Sequence, residues 1–348
     1  MPQQFEHEQV IIRTGARSGL PIVIAIHSTV LGQALGGLRL KHYADWRDGL
    51  TDALRLSLAM SDKCAAAGLP NGGGKTVVAV PEGRLVDAAL RRALLLDVGD
   101  AVADLDGRYG IGPDVGTGPV DMDTIAERTE HAFCRPVEHG GSGDSSVNTA
   151  QGVLAAIRAV AAHRFGSPDL AGRRFALLGL GHVGGDLARR LTGEGAGLVV
   201  ADVDDGRKAL AAELGAAWVS PDEAFRAEVD ILVPAALGGL FTAQTIADLR
   251  CAAVCGPANN QLDEPSTADR LHERGIVWAP DFVVSAGGVI YAAAVEIRHE
   301  PAETAKALVD GIGDTIAAIL STGQPPLRAA LRLAHARRRA DQMPGQVE

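Results

Sequence analysis

The stretch MSDKCAAAGLPNGGGKTVVAV, residues 60–80, decides how the first half of the chain folds. It carries Lys63 and Lys75 on either side of a Pro-Asn-Gly-Gly-Gly segment. Apolar residues at helical spacing predict a helix over residues 54–67, and TVVAV predicts a strand over residues 76–80. The three glycines at 72–74 allow positive φ and a close approach of the backbone to a ligand. Lys75 is therefore expected to be presented to a ligand.

Two other interpretations of this stretch are weaker. Gly74-Lys75-Thr76 matches the end of a phosphate-binding P-loop, but that motif needs a glycine at position 69 and a strand before the loop. Leu69 occupies that position, and a helix is predicted before it. The second alternative places both lysines on a solvated surface, which is common for lysine. An independent cofactor motif further along the chain argues against it.

Composition limits the class of protein. The chain has 348 residues, enough for roughly two domains of about 150 residues. The hydrophobic fraction is 47% and the charged fraction 22%, as in ordinary globular proteins. A net charge of −10 argues against a nucleic-acid partner.

Neither a membrane, a metal nor a disulfide framework is expected. No apolar run reaches the roughly 20 residues of a membrane span, and MPQQFEHEQ lacks the pattern of a signal peptide, so a cytoplasmic location is expected. The spacing of the four cysteines fits buried thiols better than disulfides or metal ligands; they are Cys64, Cys134, Cys251 and Cys255.

A dinucleotide-binding motif begins the second half. Residues 174–178 predict a strand, Gly179-Leu-Gly181-His-Val-Gly184 follows, and an apolar-periodic helix comes next. A second predicted strand, 198–201, ends at Asp202, 23 residues after Gly179. This context predicts a Rossmann domain with the cofactor pyrophosphate at the helix N-terminus and Asp202 on the ribose 2′-hydroxyl. A carboxylate there repels a 2′-phosphate, so NAD is expected rather than NADP.

Several turns are further candidates for a site. Predicted strands at 230–233 and 252–255 run into PAALGG, which contains Ala235, and into GPANNQL, which contains Asn259 and Asn260. Ligands bind at such carboxyl ends of parallel strands. Asp114 lies in IGPDVGTGPVDMD, where turn formation alone also explains a Pro-Asp pair.

The sequence predicts an α/β fold with two domains flanking a cleft. Residues 1–140 form a substrate-binding domain to which a C-terminal helix, 316–348, returns, and residues 147–315 form the Rossmann domain. The flexible segment HGGSGDSS, residues 139–146, is the candidate hinge.

Several motifs together resemble the glutamate, leucine, valine and phenylalanine dehydrogenase family over nearly the whole chain, most closely its actinobacterial valine and phenylalanine branch. These motifs are EHEQV, HSTVLGQALGG, KCAAAGLPNGGGKTV, GPDVGTGPVDMD, GGSGDSSVNTAQGV, GLGHVGG, CGPANNQL and APDFVVSAGGVI. The resemblance implies reversible NAD-dependent oxidative deamination of an L-amino acid to a 2-oxo acid and ammonia. It also implies a homo-oligomer, for which the N-terminal edge strands are the natural contact.

By this resemblance, Lys63 holds the substrate carboxylate. Lys75 has a lowered pKa and activates the attacking water. Asp114 exchanges protons with the amino group. Gly37 binds the substrate through its backbone, and Asn259 orients the substrate. The residues expected to bind the cofactor are Gly179, Gly181, His182, Val183, Gly184, Asp202, Thr149, Ala235, Asn259, Asn260 and Ser285.

The resemblance also bears on the substrate. Leu35 replaces the lysine with which glutamate enzymes pair a side-chain carboxylate, so glutamate is not expected. Gly112 and Ala292 stand where leucine-type enzymes have slightly larger residues. These three positions predict a bulky apolar amino acid, aromatic ahead of branched.

Two residues depart from the family pattern. Ser285 replaces an asparagine near the nicotinamide, and Leu38 replaces a threonine of the apolar-substrate branch. The alternative function is therefore a non-catalytic NAD-binding sensor or partner protein that retained the fold.

Overall fold

The computed structural model describes residues 5–236 and 238–341. Its α/β chain forms two compact units. Among the described residues, the first unit consists of the chain up to Asp144, Val295–His299 and the chain from Ala334. The second unit consists of Ser145–Ala294 and Glu300–Leu333. The boundary at Asp144 lies inside the predicted hinge segment. No helix in the described ranges is long and apolar enough to cross a membrane.

The first unit contains one five-stranded mixed sheet in the order β1-β2-β4-β3-β5. Strands β1, β2 and β4 are antiparallel neighbours, and β3 is parallel to both β4 and β5. Its elements are β1 (Gln9–Thr14), β2 (Pro21–Ser28), β3 (Ala34–Tyr43), α1 (Trp46–Ala66), β4 (Gly72–Pro81), α2 (Ala88–Ala103), β5 (Tyr109–Pro113) and α3 (Pro119–Ala126), with a short 3₁₀ turn at Val137–His139.

Both faces of this sheet are covered, which explains why β2 reads as an unbroken apolar run. Ile22, Ile24 and Ile26 point to the face that packs against α2 and α3. Val23 and Ala25 point to the opposite face, which packs against α1. Complete burial of each isoleucine contributes about 1.5–3 kcal/mol. We call the second face the α1 face, and alternation along the strands decides which residues lie on it.

The predicted reason for the three glycines is wrong. Gly72, Gly73 and Gly74 are extended residues of β4, and none has a positive φ. They are needed for close packing instead, because a Cβ on Gly73 would lie 2.0 Å from the Ser61 backbone nitrogen of α1. A Cβ on Gly72 would lie 1.8 Å from the Ser28 carbonyl oxygen. The strand accordingly begins at Gly72, four residues before the predicted start.

The second unit contains six parallel strands in the order β11-β10-β9-β6-β7-β8. Its helices and strands are α4 (Ser146–Phe165), β6 (Arg174–Leu178), α5 (His182–Gly193), β7 (Gly197–Ala201), α6 (Lys208–Glu213), β8 (Ala217–Trp218), α7 (Pro221–Phe225), β9 (Ile231–Pro234), β10 (Ala253–Val254), α8 (Ser266–Glu273), β11 (Val277–Trp278), α9 (Asp281–Val284), α10 (Gly287–Ala292), α11 (Ala302–Asp310) and α12 (Ile312–Ser321); 3₁₀ turns lie at Asp205–Arg207 and Thr245–Asp248. This strand order is the doubly wound Rossmann order, and its switch point lies between β6 and β9.

The C-terminal helix 316–348 was expected to return to the first domain. In the structure, Glu300–Leu333 belongs to the second unit, and the described chain from Ala334 belongs to the first. Helix α12 packs against α4 of the second unit. A π-helical turn at Ala293–Ile297 and the last helix, α13 (Pro326–Asp341), each cross a boundary between the units. In the first unit, Arg337 of α13 donates to the carbonyl oxygens of Ala65 and Ala66, at 2.9 and 2.6 Å, and so caps the C-terminal end of α1.

Candidate active site

A buried ion pair lies on the α1 face of the first sheet. Side chains alternate along a strand, so Lys75 of β4 lies on the same face as Val77 and Ala79. Asp114 follows directly after β5. The Lys75 Nζ lies 2.7 Å from Asp114 Oδ2, and the lysine side chain is only 7% exposed. The structure therefore joins the two residues that the sequence analysis assigned to proton transfer.

The surroundings of this pair alter both pKa values. Burial lowers the pKa of Lys75, while the neighbouring Asp114 carboxylate opposes that shift. Burial by itself would raise the pKa of Asp114, but the positive charges of Lys75 and Arg39 outweigh it and lower the pKa. A lysine with a lowered pKa is suited to acid–base chemistry near neutral pH.

Beside the pair, two glycines form what we call the glycine floor, Gly37 of β3 and Gly112 of β5, which are register partners. A Cβ on Gly37 would lie 2.8 Å from Asp114 Cβ and 3.3 Å from Lys75 Nζ, so a side chain there would crowd the pair. A Cβ on Gly112 would have no atom within 4 Å. The floor thus leaves open space next to Lys75.

An apolar border adjoins the floor. Leu35, two residues before Gly37 on the same face, is buried and pairs in register with Gly110. The Phe133 ring lies over Gly110, because a Cβ there would stand 2.1 Å from Phe133 Cε2 and 3.1 Å from Leu35 Cδ2. Lys63, half-buried, lies in the last turn of α1, two residues after Ser61, which contacts Gly73.

In the second unit, the three fingerprint glycines meet three different demands. Gly179 has a φ of +106°, and Gly184 needs the absence of a Cβ because one would lie 2.0 Å from the Gly179 carbonyl oxygen. A Cβ on Gly181 would have no atom within 4 Å, so the backbone there faces open space. His182 and Val183 begin α5 at this point. Turn, close helix packing and ligand space are the three roles of glycine in a dinucleotide fingerprint.

The other predicted cofactor residues follow the neighbouring strands at the same edge of this sheet. Asp202, after β7, accepts a hydrogen bond from the Leu180 backbone N–H (2.6 Å), within the fingerprint loop. Ala235, after β9, donates its backbone N–H to Leu178 (2.8 Å). Because the carboxyl ends of parallel strands share one edge, these residues form a cradle that suits a dinucleotide.

Asn259 and Asn260 are exposed after β10 at that edge. The Ser285 hydroxyl can donate its one proton either to the Asp281 carbonyl oxygen (2.7 Å) or to Asn259 Oδ1 (3.2 Å), so the departure from the family pattern lies against a predicted site residue. Thr149 on α4 donates to the Ser145 carbonyl oxygen (2.9 Å). Ala292 is buried at the end of α10.

Four residues near the ion pair or the glycine floor had no role predicted from the sequence: Arg39, Tyr43, Asp52 and Phe133. Arg39 lies two positions beyond Gly37 and is therefore on the same strand face. Nothing in the sequence indicated that Asp52 of α1 contacts Arg39. In the described part of the chain, no group of three or more His, Cys, Asp or Glu could hold a metal ion, and the four cysteines are free and buried.

Two sequence models of one known family together match most of the chain. Residues 7–131 match the sequence model described as the Glu/Leu/Phe/Val dehydrogenase dimerisation domain. Residues 206–305 match the model described as Glutamate/Leucine/Phenylalanine/Valine dehydrogenase.

Individual relatives extend the match to nearly full length. A leucine dehydrogenase from Thermoactinomyces intermedius is 40% identical over 340 residues, which cover 96% of this chain and 92% of the relative. A valine dehydrogenase from Streptomyces albus is 42% identical over 345 residues, covering 96% and 93%. The crystal structure of L-tryptophan dehydrogenase from Nostoc punctiforme has a TM-score of 0.82 at 34% identity, covering 97% of each chain. The chain thus belongs to the glutamate, leucine, phenylalanine and valine dehydrogenase family, and it is an amino acid dehydrogenase.

Proposed function

We propose that the protein catalyses the reversible oxidative deamination of a bulky apolar L-amino acid with NAD as the oxidant. The reaction converts the amino acid, NAD⁺ and water into the 2-oxo acid, ammonium, NADH and one proton. The observation that carries this proposal is the Lys75–Asp114 pair, with Nζ and Oδ2 2.7 Å apart beside the open glycine floor.

The proposed chemistry divides between the two members of the pair. Neutral Lys75 would take a proton from water as the water attacks the substrate iminium carbon, and burial favours that neutral form. Asp114 would exchange a proton with the substrate amino group, for which its ionised state beside two cations prepares it. Lys63 would bind the substrate carboxylate by charge.

The second unit supports NAD as the cofactor. The open backbone at Gly181 and the N-terminus of α5 suit a pyrophosphate, and Asp202 suits a ribose with a free 2′-hydroxyl. When bound, NAD would accept the hydride from the substrate Cα. Thr149, Asn259, Asn260 and Ser285 are the proposed residues near the nicotinamide.

An apolar substrate side chain suits the floor and its border. Leu35 and Phe133 offer no charge to a side-chain carboxylate, and a buried unpaired ion costs several kcal/mol. The absence of any atom within 4 Å of a Cβ on Gly112 favours a large side chain. The relatives are named leucine, valine and tryptophan dehydrogenases, which all act on apolar amino acids. Among them we expect aromatic substrates to be preferred over branched ones.

The test is NADH formation by the purified protein with a panel of L-amino acids: phenylalanine, tryptophan, leucine, valine and glutamate. Lys75→Ala should abolish formation, and Lys306→Ala should not, because Lys306 is an exposed lysine paired with Glu303. Preference for valine or glutamate by kcat/KM would refute the substrate class. NAD binding without amino-acid-dependent NADH formation would support the alternative, a non-catalytic NAD-binding protein.

We also propose that the protein is a homo-oligomer. Strand β1 is an edge strand, and the family model that matches residues 7–131 is described as a dimerisation domain. Light scattering at micromolar concentration should give a multiple of the 36.0 kDa subunit mass, and a monomer mass would refute the proposal.

A further inference from the structure

A chain of charged groups lies behind the proposed catalytic pair. Arg39 Nε donates to Asp114 Oδ2 (3.0 Å), and Arg39 Nη1 donates to Asp52 Oδ2 on α1 (3.2 Å). The Tyr43 hydroxyl donates to the same Asp52 oxygen (2.8 Å). The connection therefore runs from Tyr43 through Asp52 and Arg39 to Asp114.

The guanidinium geometry makes this chain a clamp. Its nitrogens are fixed in one plane, so Nε and Nη1 cannot hold two carboxylates without fixing the angle between them. Asp114 Oδ2 thus receives two cations, Lys75 Nζ at 2.7 Å and Arg39 Nε at 3.0 Å. Rotation of the Asp114 carboxylate would break both contacts.

This clamp is shielded from solvent. The side chains of Arg39, Asp52 and Asp114 are 15%, 20% and 25% exposed, so their charges are screened far less than surface pairs. Arginine keeps its charge at all working pH values, whereas Lys75 must change its own during the proposed reaction. Arg39 therefore supplies a constant positive charge beside a lysine and an aspartate that titrate.

We propose that Arg39, held by Asp52 and Tyr43, is a positioning residue that fixes the orientation and charge of Asp114 beside Lys75. The proposal rests on the proposed deamination. The charged and titratable groups that face the Lys75–Asp114 pair are Arg39 and Tyr43 on β3, Tyr109 on β5 and Asp52 on α1, and Arg55 contacts Asp52 from the outer side.

The direction of the pH effect follows from charge. Arg39 lowers the pKa of Lys75 because two cations repel each other's protonated states, and it helps to lower the pKa of Asp114. Removing Arg39 therefore raises both pKa values. Because the deamination requires neutral Lys75, the rising limb of kcat against pH should move to higher pH.

The test compares full-length variants in amino-acid-dependent NADH formation across pH. Arg39→Gln should lower kcat about 10–100-fold while KM stays within about threefold, because positioning acts on the transition state. Its rising limb should move to higher pH. Arg39→Lys should keep the wild-type limb, since the charge remains, but should not restore kcat, since the planar fork is lost. The matched control is Arg92→Gln, which loses an ion pair with Glu127 (2.8 Å) at an exposed arginine of α2, away from the clamp, and should keep the wild-type kcat and pH profile.

Tyr43→Phe covers the case in which Arg39→Gln does not fold. It removes one hydroxyl from Asp52 and should lower kcat about two- to fivefold without changing NAD affinity. The proposal is overturned if Arg39→Gln keeps the wild-type kcat and pH profile, or if Arg39→Lys restores kcat fully. If the wild-type protein forms no NADH with any amino acid, the proposed function itself is wrong. If the wild type is active and Arg39→Gln keeps its kcat and pH profile, only the clamp is wrong.

Discussion

Gly73 of β4 and Ser61 of α1 are in such close contact that a Cβ on the glycine would stand 2.0 Å from the serine backbone nitrogen. This contact sets the distance between a helix that carries Lys63 and a strand that carries Lys75. Any larger residue at position 73 must move one of these elements, because the obstructing atom belongs to the backbone.

Gly73→Ala should therefore destabilise the protein by about 3 kcal/mol, the upper range for overpacking, and should reduce activity with it. The measurement is urea unfolding together with kcat. Gly112→Ala is the matched control, since its Cβ would meet no atom within 4 Å, and its free energy of unfolding should stay at the wild-type value. We expect Gly112→Ala to disfavour the largest substrates instead. Equal stability of both variants would contradict the packing argument.

Asp202→Asn should weaken NAD binding about tenfold and reduce the preference for NAD over NADP. The amide loses the negative charge that repels a 2′-phosphate and weakens the charge-assisted bond to the Leu180 N–H (2.6 Å). Isothermal titration with both cofactors measures the two affinities. Asp204→Asn serves as the control because Asp204 is exposed and, like Asp202, accepts a hydrogen bond from the backbone N–H two residues later. An unchanged affinity ratio in Asp202→Asn would exclude Asp202 from cofactor selection.

Ser285→Ala should lower kcat about three- to tenfold, because Asn259 loses a hydroxyl partner at 3.2 Å and a hydrogen bond contributes about 0.5–1.5 kcal/mol. Steady-state kinetics at saturating NAD measures this. In Ser321→Ala, the removed hydroxyl bonds only a carbonyl oxygen of α12 among the described contacts, so kcat should not change. A fully active Ser285→Ala would show that the serine does not support Asn259 during turnover.

His27 should make the first unit less stable in acid. Burial, followed by the nearby His7 and Arg338, lowers its pKa from 6.5 to about 4. Between these values the unfolded chain binds a proton that the folded chain does not, so stability falls as the pH falls through this range. The expected loss is about 2 kcal/mol between pH 7 and pH 5.

Urea unfolding of wild-type protein and His27→Gln at both pH values measures this loss. It should be smaller in His27→Gln, although that variant also loses the contact between the His27 ring and the Ser61 hydroxyl (2.8 Å). His163→Gln, at an exposed position, should retain the wild-type pH dependence. A wild-type loss that persists in His27→Gln would assign the acid sensitivity to other groups.

Local sequence predicted much of this architecture. Strand β6, the glycine fingerprint and Asp202 lie close together in the chain, so strand periodicity and glycine spacing were enough to predict the Rossmann unit. The family resemblance rested on eight motifs spread along the chain. Helix α1 was likewise evident from apolar spacing, with its end within one residue of the structure. Short-range steric and hydrogen-bonding preferences govern these features, and the sequence displays such preferences directly.

The surroundings of Lys75 could not be predicted in this way. Asp114 is 75 residues from Arg39 in the chain, and Asp114, Arg39 and Asp52 meet only because β3 pairs in parallel with β4 and β5 in one register while α1 covers the same face. The close contact of Gly73 with α1 also depends on that packing. The sequence by itself determined the secondary structure, the cofactor motif and the family. The tertiary structure alone decided which charges neighbour Lys75, because strand register and helix packing are set by contacts between distant parts of the chain.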